Sequence, residues 1–215
     1  MTLPSLVIFD CDGVLVDSEQ ASFEVAREVA GELGIDLTFE QNRPYFGTRD
    51  SDMFEDLAAK HGVTLPAGFL EHVEQRKMAR YHQGVPMIPG AMHAIRRIVA
   101  AGLPLCVASS ATVERTRVKL EPIGLLVFFG DHVFTAYDVA RGKPAPDIFL
   151  HAAERMGVPP ADCVVIEDAA AGVRAGIDAG MRVLGFAPKG DVLGFSDLGA
   201  EPFHSLTDVP RLIGL

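Results

Sequence analysis

Short apolar runs alternate with amphipathic stretches along most of this chain, and no other feature limits its fold as strongly. Leu6–Phe9, Leu103–Ser109, His132–Thr135, Cys163–Ile166 and Arg182–Phe186 read as strands, with a further short one near Pro202–His204. Between them, about Ala91–Ala101, Val113–Ile123, Asp147–Met156 and Ala171–Ala179 carry helical periodicity. Strands separated by helices pair in parallel through right-handed crossovers. A run as evenly apolar as Cys163–Ile166 suits a strand covered on both faces. The expected fold class is α/β, a parallel sheet flanked by helices.

The alternation breaks between about Ser18 and Val85. That segment reads as consecutive helices: Glu19–Leu33, a short piece before Gly47, Asp50–His61 and Ala67–Gln83. Asp17 is placed to cap the first of them, with Gln20 as the reciprocal partner of a capping box. The chain returns through Pro86 and Pro89-Gly90, a hinge-like sequence. The expected division is a catalytic core of residues 1–17 and 86–215 and a helical cap of residues 18–85. A helical insertion directly after the first strand stands above the strand ends, where it can act as a lid.

Composition removes several function classes. With 48% hydrophobic and 22% charged residues, the chain has the make-up of a folded globular protein. A net charge of −10 argues against a nucleic-acid or anionic-membrane surface. No apolar run approaches the roughly 18 residues of a membrane helix, and the N-terminus lacks a signal peptide's basic flank and cleavage site. Cys11, Cys106 and Cys163 are odd in number and far apart, so they read as free thiols. The expectation is a cytoplasmic protein, a monomer or weak homodimer, with no nucleic-acid or membrane partner.

The chemistry gathers where strands end, which in a parallel sheet is the edge that forms sites. Asp10-Cys11-Asp12-Gly13 follows the first run, and carboxylates two apart in extended chain project to one side. Held that close, they share a cation or a proton. Ser109-Ser110 ends the second run; a hydroxyl with the turn's N–H groups can hold an oxyanion, while a serine there also suits a helix N-cap. Lys143 stands before Pro144-Ala145-Pro146, a stiff loop in which a lysine can neutralise a phosphate or simply be solvated. Glu167-Asp168 ends the fourth run, although an acid at that place also suits the start of a helix. Together Asp10, Asp12, Glu167 and Asp168 crowd negative charge at one sheet edge, which favours a divalent cation, Mg²⁺, shared with a substrate phosphate.

The ordered set Asp10–Ser18, Val107–Ser110, Gly142–Asp147 and Ile166–Asp168 resembles the four motifs of the haloacid dehalogenase-like hydrolase superfamily, and the likeness spans essentially the whole chain. Within it, the sequence is similar to the sugar-phosphate phosphatases and β-phosphoglucomutase. The resemblance implies a Rossmann-like core with a helical cap inserted after the first motif. It implies Asp10 as the nucleophile that forms an aspartyl-phosphate, and Asp12 as the acid that protonates the leaving oxygen and then activates water. Ser109, Ser110 and Lys143 are the implied phosphate-binding residues. Asp10, the Asp12 backbone carbonyl and Asp168 are the implied Mg²⁺ ligands, with Glu167 assisting. Ala169 departs from the serine that commonly follows the fourth-motif acids.

The expected function is therefore a Mg²⁺-dependent phosphatase for a small phosphorylated metabolite, a sugar phosphate foremost. A β-phosphoglucomutase-like phosphomutase and a catalytically silent binding protein are the alternatives. Asp12 argues against the superfamily's dehalogenases, which lack the second aspartate. No lysine lies between Asp12 and Gln41, as a phosphonatase would need. Arg49 and Lys77, both in the insertion, are candidates to face the substrate. Against the mutase stands Ala111-Thr112-Val113-Glu114 after the second motif, a loop short of donors and carrying an acid.

Overall fold

The computed structural model describes residues 3–190 and 194–215. Among these described residues six strands pair in parallel: β1 (Leu6–Phe9), β2 (Leu105–Ser109), β3 (Val133–Thr135), β4 (Cys163–Glu167), β5 (Arg182–Phe186) and β6 (Glu201–Phe203). Their spatial order is β3-β2-β1-β4-β5-β6, so the chain reverses its direction of travel across the sheet between β1 and β4. A crevice opens at such a reversal, beyond the carboxyl ends of the strands. This is the parallel α/β sheet that the alternating sequence implies, in the Rossmann-like form that the family resemblance implies.

Period-two packing explains why the strands read as unbroken apolar runs. Val7 and Phe9 face one core with Ile95, Ile98, Leu120, Phe129 and Ile213, while Leu6 and Ile8 face a second with Phe149, Ala152 and Val173. The first core is covered by α5 (Ala91–Ala100), α6 (Val113–Leu120), α7 (Leu126–Phe129) and α10 (Val209–Leu212). The second is covered by α8 (Asp147–Met156) and α9 (Ala170–Asp178). Each large side chain fully buried there contributes roughly 1.5–3 kcal/mol of hydrophobic stabilisation.

Between β1 and α5 stand α1 (Glu19–Glu32), α2 (Phe39–Asn42), α3 (Asp50–His61) and α4 (Phe69–Tyr81), with a 3₁₀ turn at Arg43–Tyr45. They bury an apolar cluster of their own that includes Phe23, Val29, Leu37, Phe54, Leu57 and Val73. Several boundaries differ from the sequence reading for local reasons. β2 begins at Leu105 because the Leu103 N–H is used closing α5 on Ile98, ahead of Pro104. Gly68, in the left-handed region, delays α4 to Phe69. The capping box expected from Asp17 and Gln20 does not form. Ser18 is the N-cap residue of α1 without a side-chain cap bond, and Gln20 donates to Glu24 instead. A capping box does form one helix later, between Thr38 and Gln41.

All three cysteines are free and buried. Among the described residues, no helix is long and apolar enough to cross a membrane.

Candidate active site

Strand register sets the site. Phe9 pairs with Val107 on one side and Ile166 on the other, so the next residue, Asp10, stands level with Glu167 at the central reversal. The Asp10 N–H donates to the Ile166 carbonyl, holding the first residue beyond β1 in sheet geometry. Two glycines make room for the acids that gather here. A Cβ on Gly13, whose φ is +85°, would come within 1.8 Å of the Asp168 carboxylate. One on Gly172 would come within 1.7 Å of the Glu167 carboxylate. Carboxylate oxygens of Asp10, Glu167 and Asp168 consequently all lie within 4.8 Å of one another.

Lys143 is the cation of this cluster. Its Nζ lies 2.5 Å from Asp10 Oδ1, 2.7 Å from Glu167 Oε1 and 3.1 Å from the Ala108 carbonyl, with the Phe149 ring 5.0 Å away. Glu167 Oε2 accepts the N–H groups of Asp168 and Ala169, each at 2.9 Å, so Glu167 is fully engaged. The Asp168 carboxylate accepts no hydrogen bond from any described side chain or N–H, and it faces the cavity.

The electrostatics follow from this packing. Burial pushes Asp10 up to about 7, against the pull of Lys143 and helped by Glu167 and Asp12. Burial, with Glu167, Asp10 and Glu19 nearby, raises Asp168 well above the usual carboxylate range. Burial would lower Lys143, but Asp10 and Glu167 outweigh it and hold the ammonium charged. Three carboxylates around one cation leave an excess of negative charge on oxygen donors alone, a set that fits a hard divalent ion.

Asp12 has different company. Burial would raise it, yet Lys119 and the Ser18 hydroxyl outweigh that and keep the carboxyl below its ordinary value. Lys119 Nζ lies 2.5 and 2.6 Å from its two oxygens, and Ser18 Oγ donates to Oδ1. Lys119 and Arg115 occupy one buried face of α6, a turn apart. Arg115 donates to Asp50 and lies 3.3 Å from Glu74, both in the insertion. Asp50 also holds Lys77 at 2.5 Å, and between them the two cations keep its carboxyl far below the usual range despite burial. These contacts join the insertion to the core.

A cavity of about 780 Å³ lies between the strand ends and the insertion. Asp10, Asp12, Ser110, Asp168 and Lys77 line it; Ser109, Lys143 and Glu167 are buried behind that lining. Neither serine caps the following helix, a role taken by Thr112. Ser109 Oγ accepts the Ala111 N–H at 3.1 Å, and Ser110 Oγ donates to the Gly47 carbonyl at 2.7 Å.

Arg49 departs from the expectation that it faces the substrate. Its guanidinium donates to the carbonyls of Ala136, Val139 and Ala140, away from the cavity, because that run of carbonyls just after β3 offers matching acceptors. Glu114 is exposed and does not line the cavity either. Sequence reasoning missed Lys119, Arg115, Asp50 and Glu74. The available signal was the i, i+4 spacing of Arg115 and Lys119 soon after the second motif.

Comparison with known proteins agrees with this geometry. The family model of haloacid dehalogenase-like hydrolases matches residues 4–180. The 6-phosphogluconate phosphatase of Escherichia coli K12 is 35% identical over 182 residues, covering 84% of this chain and 81% of the relative. Hexitol phosphatase A of the same organism is 31% identical over 207 residues, covering 94% and 91%. Among solved structures, a hydrolase of this family from Deinococcus radiodurans R1, with bound phosphate and sodium, superposes with a TM-score of 0.73. It is 33% identical and covers 97% of this chain and 94% of its own.

Proposed function

Because the chain belongs to the haloacid dehalogenase-like hydrolases, we propose that it is a Mg²⁺-dependent phosphatase of small phosphorylated metabolites, with sugar phosphates as the expected class. The observation that carries this reading is Asp10. It is a buried carboxylate that opens onto the cavity, with Lys143 behind it and Asp168 unpartnered beside it. The names of two relatives, a 6-phosphogluconate phosphatase and a hexitol phosphatase, point to sugar-derived monoesters.

In the proposed reaction an Asp10 oxygen attacks phosphorus, and the bond to the alcohol oxygen breaks. Asp12, a carboxylate against Lys119 in the free protein, takes up the acidic proton of the monoanionic ester as it binds and delivers it to that leaving oxygen. Asp12, now a carboxylate paired with Lys119, then takes a proton from water as the water oxygen attacks the aspartyl-phosphate. Inorganic phosphate leaves and Asp10 is restored. Lys143, Ser109 and Ser110 bind the transferring group, with Lys143 offsetting the repulsion between carboxylate and phosphoryl oxygens. Asp10, Asp168 and the Asp12 carbonyl, with Glu167 in support, would hold Mg²⁺. When bound, the ion supplies further positive charge to the phosphoryl oxygens. The helices of residues 18–85 serve as a cap over the core of residues 1–17 and 86–215, excluding bulk water from the intermediate.

The test is a panel of phosphorylated metabolites assayed for phosphate release with and without Mg²⁺, using wild type and Asp10→Asn. Release that needs the metal and vanishes in Asp10→Asn is expected. Full activity in the variant or after exhaustive chelation would refute the mechanism.

A further inference from the structure

Ser109 and Ser110 stand side by side where β2 ends, but their hydroxyls play opposite hydrogen-bonding parts. Ser109 Oγ accepts the Ala111 N–H at 3.1 Å, which leaves its own proton uncommitted among the described residues. Ser110 Oγ donates to the Gly47 carbonyl at 2.7 Å. A serine hydroxyl has one proton. While Ser110 holds Gly47, it cannot donate that proton to a phosphoryl oxygen as well. Its N–H, by contrast, pairs with no described acceptor and remains for that group.

Gly47 belongs to the insertion, so this bond joins the insertion to the core, and the place it fixes is tightly defined. With φ of +76° Gly47 occupies the left-handed region, and an added Cβ would stand 2.9 Å from the Ala169 Cβ. Ser110 directly follows β2, Ala169 lies two residues beyond β4, and β1 runs between those strands. Strands two apart in a sheet stand roughly 9.5 Å from each other. Gly47 bridges that gap, across the end of β1, where Asp10 enters the same cavity lining. Ala169 offers only a methyl group there. Among the described residues the polar hold on Gly47 therefore falls to Ser110, and the next anchor to the core is Arg49, on the carbonyls after β3.

We propose that the Ser110 side chain is a positioning group: its hydroxyl latches the Gly47 peptide over Asp10, and the residue meets the transferring phosphoryl group through its N–H alone. The inference rests on the phosphatase reading and deepens it, dividing the serine pair into a phosphate donor, Ser109, and a latch, Ser110. Held in this place, the Gly47 peptide roofs the phosphoryl position and keeps the group against Asp10 as it transfers. The latch exchanges bonds to water for one bond within the protein, so its net strength is that of an ordinary neutral hydrogen bond. A bond of that strength closes the roof and still lets it open for product to leave.

A double-mutant cycle between Ser110→Ala and Gly47→Ala tests the latch, with kcat/KM for an aryl phosphate as the readout. Ser110→Ala should lower kcat/KM about fivefold in the wild-type background, the scale of one neutral hydrogen bond. Gly47→Ala displaces the acceptor, through backbone strain and the Ala169 contact. In that background Ser110→Ala should cost less than about twofold. A hydroxyl that served the phosphoryl group would act whether or not Gly47 is in place. The same loss in both backgrounds, or no loss in either, therefore overturns the proposal. Hydrogen exchange of the wild type, Ser109→Ala and Ser110→Ala gives a readout free of turnover and of the Gly47 variant. Amides of residues 45–48 should exchange about fivefold faster in Ser110→Ala and at the wild-type rate in Ser109→Ala. Unchanged exchange in Ser110→Ala, or equal acceleration in both variants, overturns the latch. Absence of phosphate release from every substrate counts against the phosphatase reading, and the exchange comparison still decides the role of Ser110.

Discussion

Lys119 holds both carboxylate oxygens of Asp12, at 2.5 and 2.6 Å, from the buried face of α6 that also carries Arg115. The lysine is 2% exposed and lies 5.1 Å from the Tyr81 ring, so the ammonium has little alternative solvation. It favours Asp12 as a carboxylate, the form that activates water in the second half of the proposed reaction.

Lys119→Met should therefore slow breakdown of the phosphoenzyme more than its formation. With an activated aryl phosphate, whose leaving group needs no proton, the variant is expected to release a burst of phenol ahead of phosphate. Steady-state turnover should fall by up to about 10²-fold, within the usual range for a disabled acid–base group. Stopped-flow release of phenol against phosphate checks this, and parallel loss of both products without a burst would make Lys119 merely structural.

Stability against pH tests the acidic cluster. Asp10 rises from 3.8 to about 7 on folding and Asp168 also rises, so the folded protein retains protons that the unfolded chain has released. The contribution of these two acids to the stability of the metal-free protein then falls as pH climbs from 3.8 to about 7. Above the ordinary carboxylate range the acids lowered on folding, such as Asp50, are ionised in both states, and no shifted carboxylate opposes that decline. Asp12 shifts the other way, and its contribution is lost only on acidification through its lowered value. Millimolar Mg²⁺ should raise Tm most near neutral pH and flatten the decline, because a bound cation favours the ionised acids. Thermal melts across pH with Mg²⁺ or EDTA measure both effects; a decline that Mg²⁺ leaves unchanged would argue against a metal among these residues.

The fold and much of the candidate site were legible because each depends on local pattern. Unbroken apolar runs marked the strands, and the acids directly beyond β1 and β4 had to meet once those strands paired. Contacts formed across the insertion carry no such mark. Arg115 and Lys119 stand among other charged residues of α6, and only the fold brings Asp50 and Asp12 to them. Arg49 follows the same logic in reverse: the sequence suggested an anion, but tertiary structure supplies three carbonyls. The Asp17–Gln20 pattern failed because Asp12 takes the Ser18 hydroxyl and Gln20 has Glu24 one turn away.

Arg49 bridges the insertion to the loop that leads into Lys143, and its side chain packs where a Gly142 Cβ would stand, 2.9 Å from Nε. Its loss should loosen this bridge without removing a group from the cavity. Arg49→Ala is expected to lower kcat/KM by a similar factor, about 3- to 10-fold, for a metabolite and for a small aryl phosphate. Gly142→Ala should have the same signature, by displacing the guanidinium. A loss confined to the metabolite, expressed as a raised KM, would instead place Arg49 on the substrate during turnover.

Phosphatase and mutase readings part over whether a second phosphate can be held while the first is on Asp10. Such a group would need free donors beyond the second motif, and the structure commits those present. The Thr112 hydroxyl donates to Glu74 at 2.9 Å and accepts the Arg115 N–H as the helix cap. Arg115 is paired with Asp50 and Glu74, Lys77 with Asp50, and Lys119 with Asp12. A dianion entering there would meet Asp50 and Glu74 before it displaced them, and that repulsion acts in a partly desolvated site. Glu114, exposed and outside the lining, adds nothing to it; the repelling acids are those of the insertion. Net release of inorganic phosphate from a monophosphate is therefore expected, with no stimulation by a bisphosphate. Phosphorus NMR of β-glucose 1-phosphate incubated with enzyme, Mg²⁺ and catalytic glucose 1,6-bisphosphate makes the comparison directly. Growth of a glucose 6-phosphate signal faster than inorganic phosphate would show that a second phosphate does displace these ion pairs, and would establish the mutase reading.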